Sequence, residues 1–366
     1  MITDVAGGPP TAGIDWDAVA GRPPVAVDAA AVEQRVAGQV VAVTGAAGSL
    51  GGPLAAALAA AGPRRLVLYD HHESSLFHLR QALAAAHPAL PLRAVLGDVR
   101  AARRLHRVFD AERPALVFHL AAYKHVPWGE EDPEAFAEAN VLGAQALIDA
   151  AAAAGADQIV YPSTDKAVDP PSLYGATKRL AEGMLQTAAA RGGPRCAIVR
   201  FVNVLGSQGS APETFARQLR TGRPLSVTHP EMRRYWITPE HARLLLLHAA
   251  CLRDRWVIVA PDAGAEIAIL DIARRVARAL RPQDPEPAVA VTGIRPGERL
   301  SEPLCAPHEH LEAAPLPGVL IVRGATQAEA GRVAEAVRRL ARLLERDAGP
   351  AAIREAVFAA ARSLES

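Results

Sequence analysis

The sequence has few cysteines, few aromatic residues and almost no net charge, and each shortage excludes a class of protein. Cys196, Cys251 and Cys305 lie far apart and fit neither a disulfide framework nor a zinc-binding pattern, which favours the reducing cytoplasm. A formal net charge of +1 gives no electrostatic basis for binding nucleic acid or an anionic membrane. The first residues lack the basic-then-apolar order of a signal peptide, and no uncharged apolar run reaches the roughly 18–20 residues that span a bilayer. We therefore expect a soluble cytoplasmic protein with no metal site.

Half of the 366 residues are hydrophobic, and their pattern alternates along the chain. Short β-branched runs such as "QVVAVTG", "RRLVLYD" and "QIVYPST" are separated by Ala- and Leu-rich segments with helical spacing. This alternation, with nearly continuous apolar strands, predicts an α/β fold with a doubly wound parallel sheet covered by helices on both faces, the Rossmann type. A looser, Pro-rich pattern beyond residue 204 predicts a smaller C-terminal substrate lobe.

Three glycines come directly after the first predicted strand. Gly45, Gly48 and Gly51 in "VTGAAGSLG" let the backbone turn tightly and approach a pyrophosphate at a helix N-terminus, where free N–H groups favour anions. Asp70 ends the second strand about 20 residues farther along, where a carboxylate would accept hydrogen bonds from an adenosine ribose. Together these features predict a dinucleotide-binding site. The carboxylate favours NAD over NADP, whose 2′-phosphate it would repel, but the two histidines that follow it keep NADP open.

Further cofactor contacts are expected in the glycine loop and at the ends of the next strands. Asp98, at the end of the third strand, is a candidate for contact with the adenine edge or, alternatively, for a helix N-cap. The small residues of "HLAA" follow the fourth strand, where a cofactor would pass. The remaining predicted contacts are Ala47, Ser49, Leu50, Val99, Leu120, Ala121 and Ala122.

The residues that react with the substrate are predicted on a helix that follows the strand "QIVYPST". Tyr174 and Lys178 form a Y-x-x-x-K pair, one helical turn apart and so on one face. A nearby ammonium group and a positive nicotinamide ring would both favour the phenolate form of Tyr174. The tyrosine can then take the proton of a substrate hydroxyl while hydride leaves the same carbon for NAD⁺. Both residues are therefore predicted to be catalytic and to contact the cofactor.

These features divide the chain into four predicted parts. Residues 1–37 form a Pro-, Gly- and Ala-rich leader with a short helix around Ala29–Val36, placed on the surface or on a neighbouring subunit. Residues 38–204 form the NAD(P)-binding Rossmann domain, and residues 205–320 form mainly the substrate lobe, interleaved with the core. Residues 321–366 form a helical tail that serves packing or an oligomer contact.

Several longer stretches carry a resemblance to one enzyme family. They are "VTGAAGSLG", "LGDVR", "HLAAYKHVPWGEEDP", "EANVLGA", "STDKAVDPPSLYGATKRLAE", "VRFVNVLGSQGS", "THPEMRRYWITPEHA" and "IRPGERLSEPL", and they cover roughly residues 40–315. In these stretches the chain resembles extended short-chain dehydrogenase/reductases that modify nucleotide sugars. Within that group it is similar to the 4,6-dehydratases of capsule, O-antigen and flagellin-glycan biosynthesis, which typically act on UDP-N-acetylglucosamine.

The resemblance implies a redox-neutral dehydration in which the cofactor is regenerated within one turnover. It leaves open whether carbon 5 is inverted. Oxidation at carbon 4 makes the proton on carbon 5 acidic, Lys166 removes it, and a protonated Asp165 gives a proton to the departing hydroxyl on carbon 6. Thr164 belongs to the same "STDK" stretch and is the further catalytic candidate. The implied substrate contacts are Lys124, His125, Asn203, Arg233, Arg295 and Glu298. The two arginines would face the diphosphate, and a homo-oligomer is implied as well.

Three departures from the family pattern leave the exact sugar open. Val202 stands where the family usually has Gly, Trp236 replaces a smaller residue, and Tyr174 stands where many membrane-anchored relatives have Met.

Two other functions also stay open. A nucleotide-sugar epimerase, for example at carbon 4, would share the fold, the cofactor and the tyrosine–lysine pair but would have no elimination for Asp165 and Lys166 to perform. A cofactor-binding regulator with a dead site is disfavoured by the intact catalytic residues.

Overall fold

Strands and helices alternate along the chain in the computed structural model, which describes residues 11, 13–22, 24–283 and 286–364. The strands are β1 (Val40–Thr44), β2 (Arg65–Asp70), β3 (Leu92–Leu96), β4 (Leu116–His119), β5 (Gln158–Thr164), β6 (Arg195–Phe201), β7 (Asn203–Val204), β8 (Leu225–Val227), β9 (Arg233–Arg234), β10 (Trp236–Ile237), β11 (Trp256–Pro261), β12 (Ile267–Ala268), β13 (Val289–Val291), β14 (His310–Ala313) and β15 (Val319–Arg323). The helices are α1 (Trp16–Ala20), α2 (Ala29–Val36), α3 (Gly51–Ala60), α4 (Glu73–Ala86), α5 (Ala102–Glu112), α6 (Val126–Glu131), α7 (Pro133–Phe136), α8 (Gly143–Ala153), α9 (Leu173–Ala190), α10 (Ala211–Arg220), α11 (Pro239–Cys251), α12 (Ile269–Leu280), α13 (Ala330–Glu345) and α14 (Pro350–Arg362).

Nine strands form one sheet, which confirms the predicted doubly wound α/β fold. Their order is β14-β15-β11-β6-β5-β4-β1-β2-β3, and the strands from β11 to β3 pair in parallel. β1 pairs with β2 on one side and with β4 on the other, so the winding reverses at β1. In such sheets ligands bind at the carboxyl ends of the strands beside the reversal. At the far edge β15 and β14 are antiparallel.

Helices cover the two faces of this sheet and bury two large apolar clusters. On one face, Leu105 of α5, Leu147 of α8 and Leu180 of α9 belong to the cluster. On the other face, Leu54 of α3 and Leu245 of α11 do so. Strand β1 is buried at every position, as its continuous apolar sequence predicts for a strand covered on both sides.

A third apolar cluster lies beyond the sheet and forms the core of the smaller lobe. It contains Phe215 of α10, Val227 of β8 and Val276 of α12. Val19 of α1 joins the same cluster, so this part of the leader packs on its own chain. The two-stranded pair of β13 with β8 completes the lobe.

Helices toward both ends of the described chain also pack against the sheet. Helix α2 has the bounds predicted for the short helix of the leader, and its Val32 and Val36 join the cluster around α11. The part of the predicted leader within residues 1–10, 12 and 23 lies outside the described residues. In the tail, Val333 and Val337 of α13 join the cluster around α9. The division into four parts stays a prediction, and strands from beyond residue 204 extend the Rossmann sheet.

A wide helical turn lies between α7 and α8. Residues Ala137–Leu142 form a π-helical segment, a conformation that occurs frequently at functional sites. The Asn140 side chain in this segment accepts a hydrogen bond from the Tyr123 N–H at 2.8 Å and donates to the Tyr123 carbonyl at 2.9 Å. It also donates to Thr177 of α9 at 3.2 Å. The segment therefore joins the loop after β4 to the helix that carries the predicted catalytic pair.

Membrane-spanning helices and metal-binding clusters are both absent from the described part of the chain. None of its helices combines the length and the apolar character needed to cross a membrane. No three of its His, Cys, Asp and Glu side chains come together as a metal-binding group. The three cysteines are free thiols.

Candidate active site

Three adjoining cavities follow the carboxyl ends of the parallel strands. The first cavity, of about 290 Å³, extends from the glycine loop to Asp70 and Asp98. The middle cavity, of about 440 Å³, lies between that loop and α9. The outer cavity, of about 630 Å³, extends into the smaller lobe. Gly48 lines the first two cavities and Lys166 lines the last two, so the three form one crevice from the Rossmann sheet to the smaller lobe.

The glycine loop between β1 and α3 has two positions at which only glycine fits. Gly45 has a φ of 67°, and a Cβ atom there would lie 2.7 Å from the backbone nitrogen of Ala121. A Cβ atom on Gly51 would overlap the carbonyl oxygen of Gly45. Helix α3 begins at Gly51, so its first N–H groups lie at the loop. The backbone and the helix N-terminus thus form the kind of cradle that binds a pyrophosphate.

Asp70 is buried at the end of β2 and is hydrogen-bonded to the glycine loop. Its Oδ2 accepts from the N–H of Ala47 at 2.9 Å, and its Oδ1 accepts from the N–H of His72 at 2.9 Å. A carboxylate has about four acceptor sites, so two bonds leave capacity for a ribose hydroxyl. Asp70 can therefore accept its hydrogen bonds from the protein backbone and still accept one from a bound ligand.

Asp98 and the small predicted residues line the first two cavities. Asp98 is paired with Arg100 at 2.7 Å, and this hydrogen-bonded guanidinium holds the pKa of the carboxyl below its ordinary value. Helix α5 has Ala101 at its N-cap, so the alternative prediction of a helix cap at Asp98 is wrong. The other predicted cofactor contacts on these walls are Ala47, Ser49, Leu50, Val99, Leu120, Ala121 and Ala122.

Tyr174 and Lys178 both line the middle cavity from α9. The Lys178 ammonium donates to the Tyr161 hydroxyl at 3.1 Å and to the Pro162 carbonyl at 2.8 Å, and burial lowers its pKa to about 7. Burial raises the pKa of the Tyr174 hydroxyl above its ordinary value, although a hydrogen bond with Thr164 acts in the opposite direction. In the chain by itself burial outweighs the predicted shift of Tyr174 toward phenolate, and the contribution of a nicotinamide ring to that shift stays a prediction.

The turn after β5 holds the predicted acid and base in one hydrogen-bonded group. The Thr164 hydroxyl donates to Asp165 Oδ1 at 2.9 Å, and the Lys166 ammonium donates to the same oxygen at 2.8 Å. Asp165 Oδ2 has no hydrogen-bond partner among the described residues. Helix α9 packs tightly on this turn, because a Cβ atom on Gly175 would overlap the Lys166 carbonyl oxygen. Thr164, Lys166 and Tyr174 thus meet on the middle cavity, with Asp165 buried beside them.

The outer cavity contains all but one of the predicted substrate contacts. The predicted residues that line it are Lys124, His125, Asn203, Arg295 and Glu298. Arg233 does not line it, since its exposed side chain donates to the Glu266 carbonyl at 2.8 Å. Arg234 lines the cavity instead, because successive side chains of a strand point to opposite sides. The prediction of Arg233 is therefore wrong, and its neighbour occupies the wall.

Glu302 is a residue of the outer cavity that the sequence did not single out. Only 1% of its surface is exposed, and neither carboxyl oxygen accepts a hydrogen bond from a described residue. Arg234 lies 3.6 Å from Oε1, and burial raises the pKa of the carboxyl. Glu302 stands in "RLSEPL", part of the last stretch that carries the family resemblance, and this is the sequence signal that could have pointed to it.

Comparison with known proteins identifies the family. Residues 41–323 match the family described as "Polysaccharide biosynthesis protein". The chain belongs to this family. It is 34% identical over 298 residues to "Capsular polysaccharide biosynthesis protein CapD" of Staphylococcus aureus, a match that covers 81% of this chain and 50% of the relative. The chain thus spans about half the length of that curated relative.

Other relatives of this member of the polysaccharide biosynthesis family are named for work on nucleotide sugars. It is 32% identical over 245 residues to "UDP-N-acetylglucosamine 4,6-dehydratase (inverting)" of Campylobacter jejuni, covering 66% of this chain and 69% of the relative. The structure of Pen from Bacillus thuringiensis matches with a TM-score of 0.71 at 25% identity, covering 81% and 93% of the two chains. MoeE5 in complex with UDP-glucose and NAD matches with a TM-score of 0.60 at 25% identity, covering 73% and 89%. The fold is that of short-chain dehydrogenase/reductases, a group that includes nucleotide-sugar dehydratases and epimerases.

Besides Tyr174, the other two departures from the family pattern also lie on the cavity walls. Val202 lines the middle cavity, where glycine would leave more space. Trp236 lines the outer cavity and donates from Nε1 to the Ile267 carbonyl at 3.4 Å. Both side chains fill space that smaller residues at these positions would leave open.

Proposed function

We propose that this protein is an NAD-dependent nucleotide-sugar 4,6-dehydratase. It oxidises carbon 4 of a hexose, eliminates water across carbons 5 and 6 and returns hydride to carbon 6, which gives a 4-keto-6-deoxy sugar nucleotide. The observation that carries the proposal is the hydrogen-bonded group of Asp165 and Lys166 beside the Tyr174–Lys178 pair. Transfer of hydride at one carbon uses the tyrosine and its lysine, whereas the second acid–base pair has a role only if a second bond is broken.

The first two cavities fit a nicotinamide dinucleotide. The glycine loop would hold the pyrophosphate, and Asp70 would accept hydrogen bonds from the adenosine ribose. NAD is favoured over NADP, because Asp70 would repel a 2′-phosphate and the guanidinium of Arg100 is committed to Asp98 and Glu138. When bound there, the cofactor would supply the hydride chemistry, as acceptor for carbon 4 of the sugar and as donor to carbon 6.

Tyr174 would take the proton of the carbon-4 hydroxyl. Its pKa is raised by burial, and the positive charge of an oxidised nicotinamide ring beside it would lower that pKa again. Lys178, with a pKa lowered to about 7 by burial, can gain or lose a proton near neutral pH.

Lys166 would remove the carbon-5 proton, and Asp165 would protonate the departing carbon-6 hydroxyl. The two share one hydrogen bond of 2.8 Å, so moving one proton along it converts an ammonium–carboxylate pair into an amine and a carboxylic acid. Elimination needs Lys166 as the neutral amine and Asp165 as the carboxylic acid. Loss of water then leaves ammonium and carboxylate. Return of the lysine proton to carbon 5 from the other face would invert the sugar.

The outer cavity would hold the rest of the sugar nucleotide. Arg295 and Lys124 line it and supply positive charge for a diphosphate, which an arginine binds through a planar fork of donors. The Campylobacter relative is named for UDP-N-acetylglucosamine, so this sugar nucleotide is the first to test. The homo-oligomer implied by the resemblance and the cytoplasmic location stay predictions.

Proton NMR in deuterated water tests the proposal. UDP-N-acetylglucosamine incubated with the protein and NAD should acquire a methyl signal at carbon 6 and deuterium at carbon 5. An inverted carbon 4 that retains its carbon-bound hydrogen, with no methyl signal, would instead identify the alternative, a carbon-4 epimerase. A sample in which Lys166 is replaced by Met controls for elimination without the enzyme's base.

A further inference from the structure

Glu302 is the buried group to which the proposed function assigns no role. It lies between β13 and β14 and lines the outer cavity, almost completely removed from solvent. Neither of its carboxyl oxygens accepts a hydrogen bond from a described residue. Buried carboxyl groups in native proteins nearly always have such partners. Two oxygens without a protein partner on a cavity wall can accept hydrogen bonds from a bound ligand.

The cations beside Glu302 do not supply these donors. Arg234 lies 3.6 Å from Oε1, and the same nitrogen donates to the Arg299 carbonyl at 2.7 Å. Lys166 lines the same cavity, but its ammonium donates to Asp165 at 2.8 Å. Both cations are committed elsewhere, so they compensate part of the carboxylate charge without satisfying its oxygens.

The polar groups of a nucleotide sugar differ in what they could offer to a carboxylate. The diphosphate carries negative charge and acceptors, so Glu302 would repel it. The hexose carries several hydroxyl donors, and a 2-acetamido sugar adds an amide N–H. Lys166 marks the wall at which the hexose would react, and Glu302 shares that wall. The hexose is thus the part of the ligand that matches Glu302 in both chemistry and position.

We propose that Glu302 is a substrate-binding residue that accepts hydrogen bonds from the hexose, through a hydroxyl or an acetamido N–H. This inference rests on the proposed function, since it takes the ligand to be a nucleotide sugar. A site that pairs a buried polar group with a substrate donor rejects analogues that lack the donor. Glu302 is therefore also a determinant of which sugar the enzyme accepts.

The test compares dissociation constants for UDP-N-acetylglucosamine and for UDP, measured in a Tyr174→Phe background that prevents turnover. Glu302→Gln keeps the size and one acceptor, whereas Glu302→Leu removes both acceptors. Glu312→Gln, which changes an exposed carboxylate on β14, is the matched control. We expect Glu302→Leu to weaken binding of the sugar nucleotide by about 10- to 100-fold and Glu302→Gln to weaken it less. Binding of UDP, which has no hexose, should change by less than about twofold, and the control should match the parent.

Three results would overturn the inference. The first is equal weakening of UDP and UDP-N-acetylglucosamine, and the second is a parent protein that binds the sugar nucleotide no more tightly than UDP. The third is a lower melting temperature of both Glu302 variants without selective loss of hexose affinity, which would show a structural role. The NMR experiment on the unmodified protein is independent. Epimerisation there, with hexose affinity still lost in Glu302→Leu, would reject the dehydratase and keep this inference.

Discussion

Two groups of buried charges lie near α9, and they differ in how completely they are paired. The structural cluster consists of Glu182, Arg200, Arg179 and Glu309, and the cavity cluster consists of Asp165, Lys166, Arg234 and Glu302. In the structural cluster Glu182 accepts from Ser163 at 2.6 Å and from Arg200 at 2.9 and 3.0 Å. Glu309 accepts from Arg200 at 2.6 Å. In the cavity cluster one oxygen of Asp165 and both oxygens of Glu302 have no hydrogen-bond partner among the described residues.

The pKa shifts show what this difference does. Burial alone would raise the pKa of both Glu182 and Glu302. At Glu182 the charges and hydrogen bonds of Arg200 and Arg179 reverse the effect and lower the pKa. At Glu302 the cations do not form such bonds, and the pKa stays raised. A fully paired buried carboxylate joins elements of the fold, whereas an incompletely paired one beside a cavity is available to a ligand.

The largest effect on stability should come from the structural cluster. Arg200→Met leaves the carboxylates of Glu182 and Glu309 buried without their shared partner. We expect the free energy of unfolding to fall by about 3–5 kcal/mol, because breaking a buried pair leaves uncompensated charge. Urea unfolding followed by circular dichroism measures this. An unchanged midpoint would show that the cluster does not hold the fold.

In the cavity cluster the largest effect should be on turnover. Lys166→Met removes the proposed base but keeps the length of the side chain, so kcat should fall by about 10²- to 10⁴-fold. Asp165 loses its ion-pair partner but keeps the hydrogen bond from Thr164, so the free energy of unfolding should fall by less than in Arg200→Met, which strips two buried carboxylates of their shared partner. NAD(H) released on denaturation would verify that the variant still holds its cofactor. Turnover close to that of the unmodified protein would remove Lys166 from the mechanism.

Replacement of Glu302 should sharpen the contrast between the two clusters. Glu302→Leu removes two unpaired buried oxygens and fills the same volume with apolar atoms, so the free energy of unfolding should stay equal or rise by about 1 kcal/mol. Urea unfolding in parallel with Arg200→Met is the measurement. A loss comparable to that of Arg200→Met would mean that Glu302 belongs functionally to the structural cluster.

The smallest effect should be a difference in the pH dependence of stability. The raised pKa of Glu302 contributes stability that is complete below the ordinary value of 4.5 and is lost as the pH rises through the folded-state pKa. The lowered pKa of Glu182 contributes stability above 4.5 that is lost as the pH falls through its folded-state pKa. Glu302→Gln should therefore gain stability relative to the unmodified protein as the pH rises above about 4.5. The deficit of Glu182→Gln should shrink as the pH falls below that value, and parallel curves for both variants would contradict this.

Much of the predicted cofactor site and of the predicted catalytic pair followed from local sequence. Gly45 and Gly51 come directly after a strand, and the loop geometry at both positions excludes a side chain. Tyr174 and Lys178 are one helical turn apart, so any helix through them places both on one face. The motif "STDK" stands at the end of β5, and the fold brings its Lys166 to the same cavity as Tyr174 and Lys178. Neighbouring positions on one element are enough for these relations.

Sequence spacing therefore determined the order of strands and helices, the glycine cradle and the faces on which the predicted residues stand. The tertiary structure decided which residue is buried and what it contacts. It selected Arg234 rather than Arg233 for the cavity wall, and it joined Arg200 to Glu309 across more than a hundred residues. It also set the direction of the pKa shift of Glu302. The burial and the ion pairing of a side chain depend on elements that meet only after folding. The local sequence pattern does not specify which distant elements come into contact.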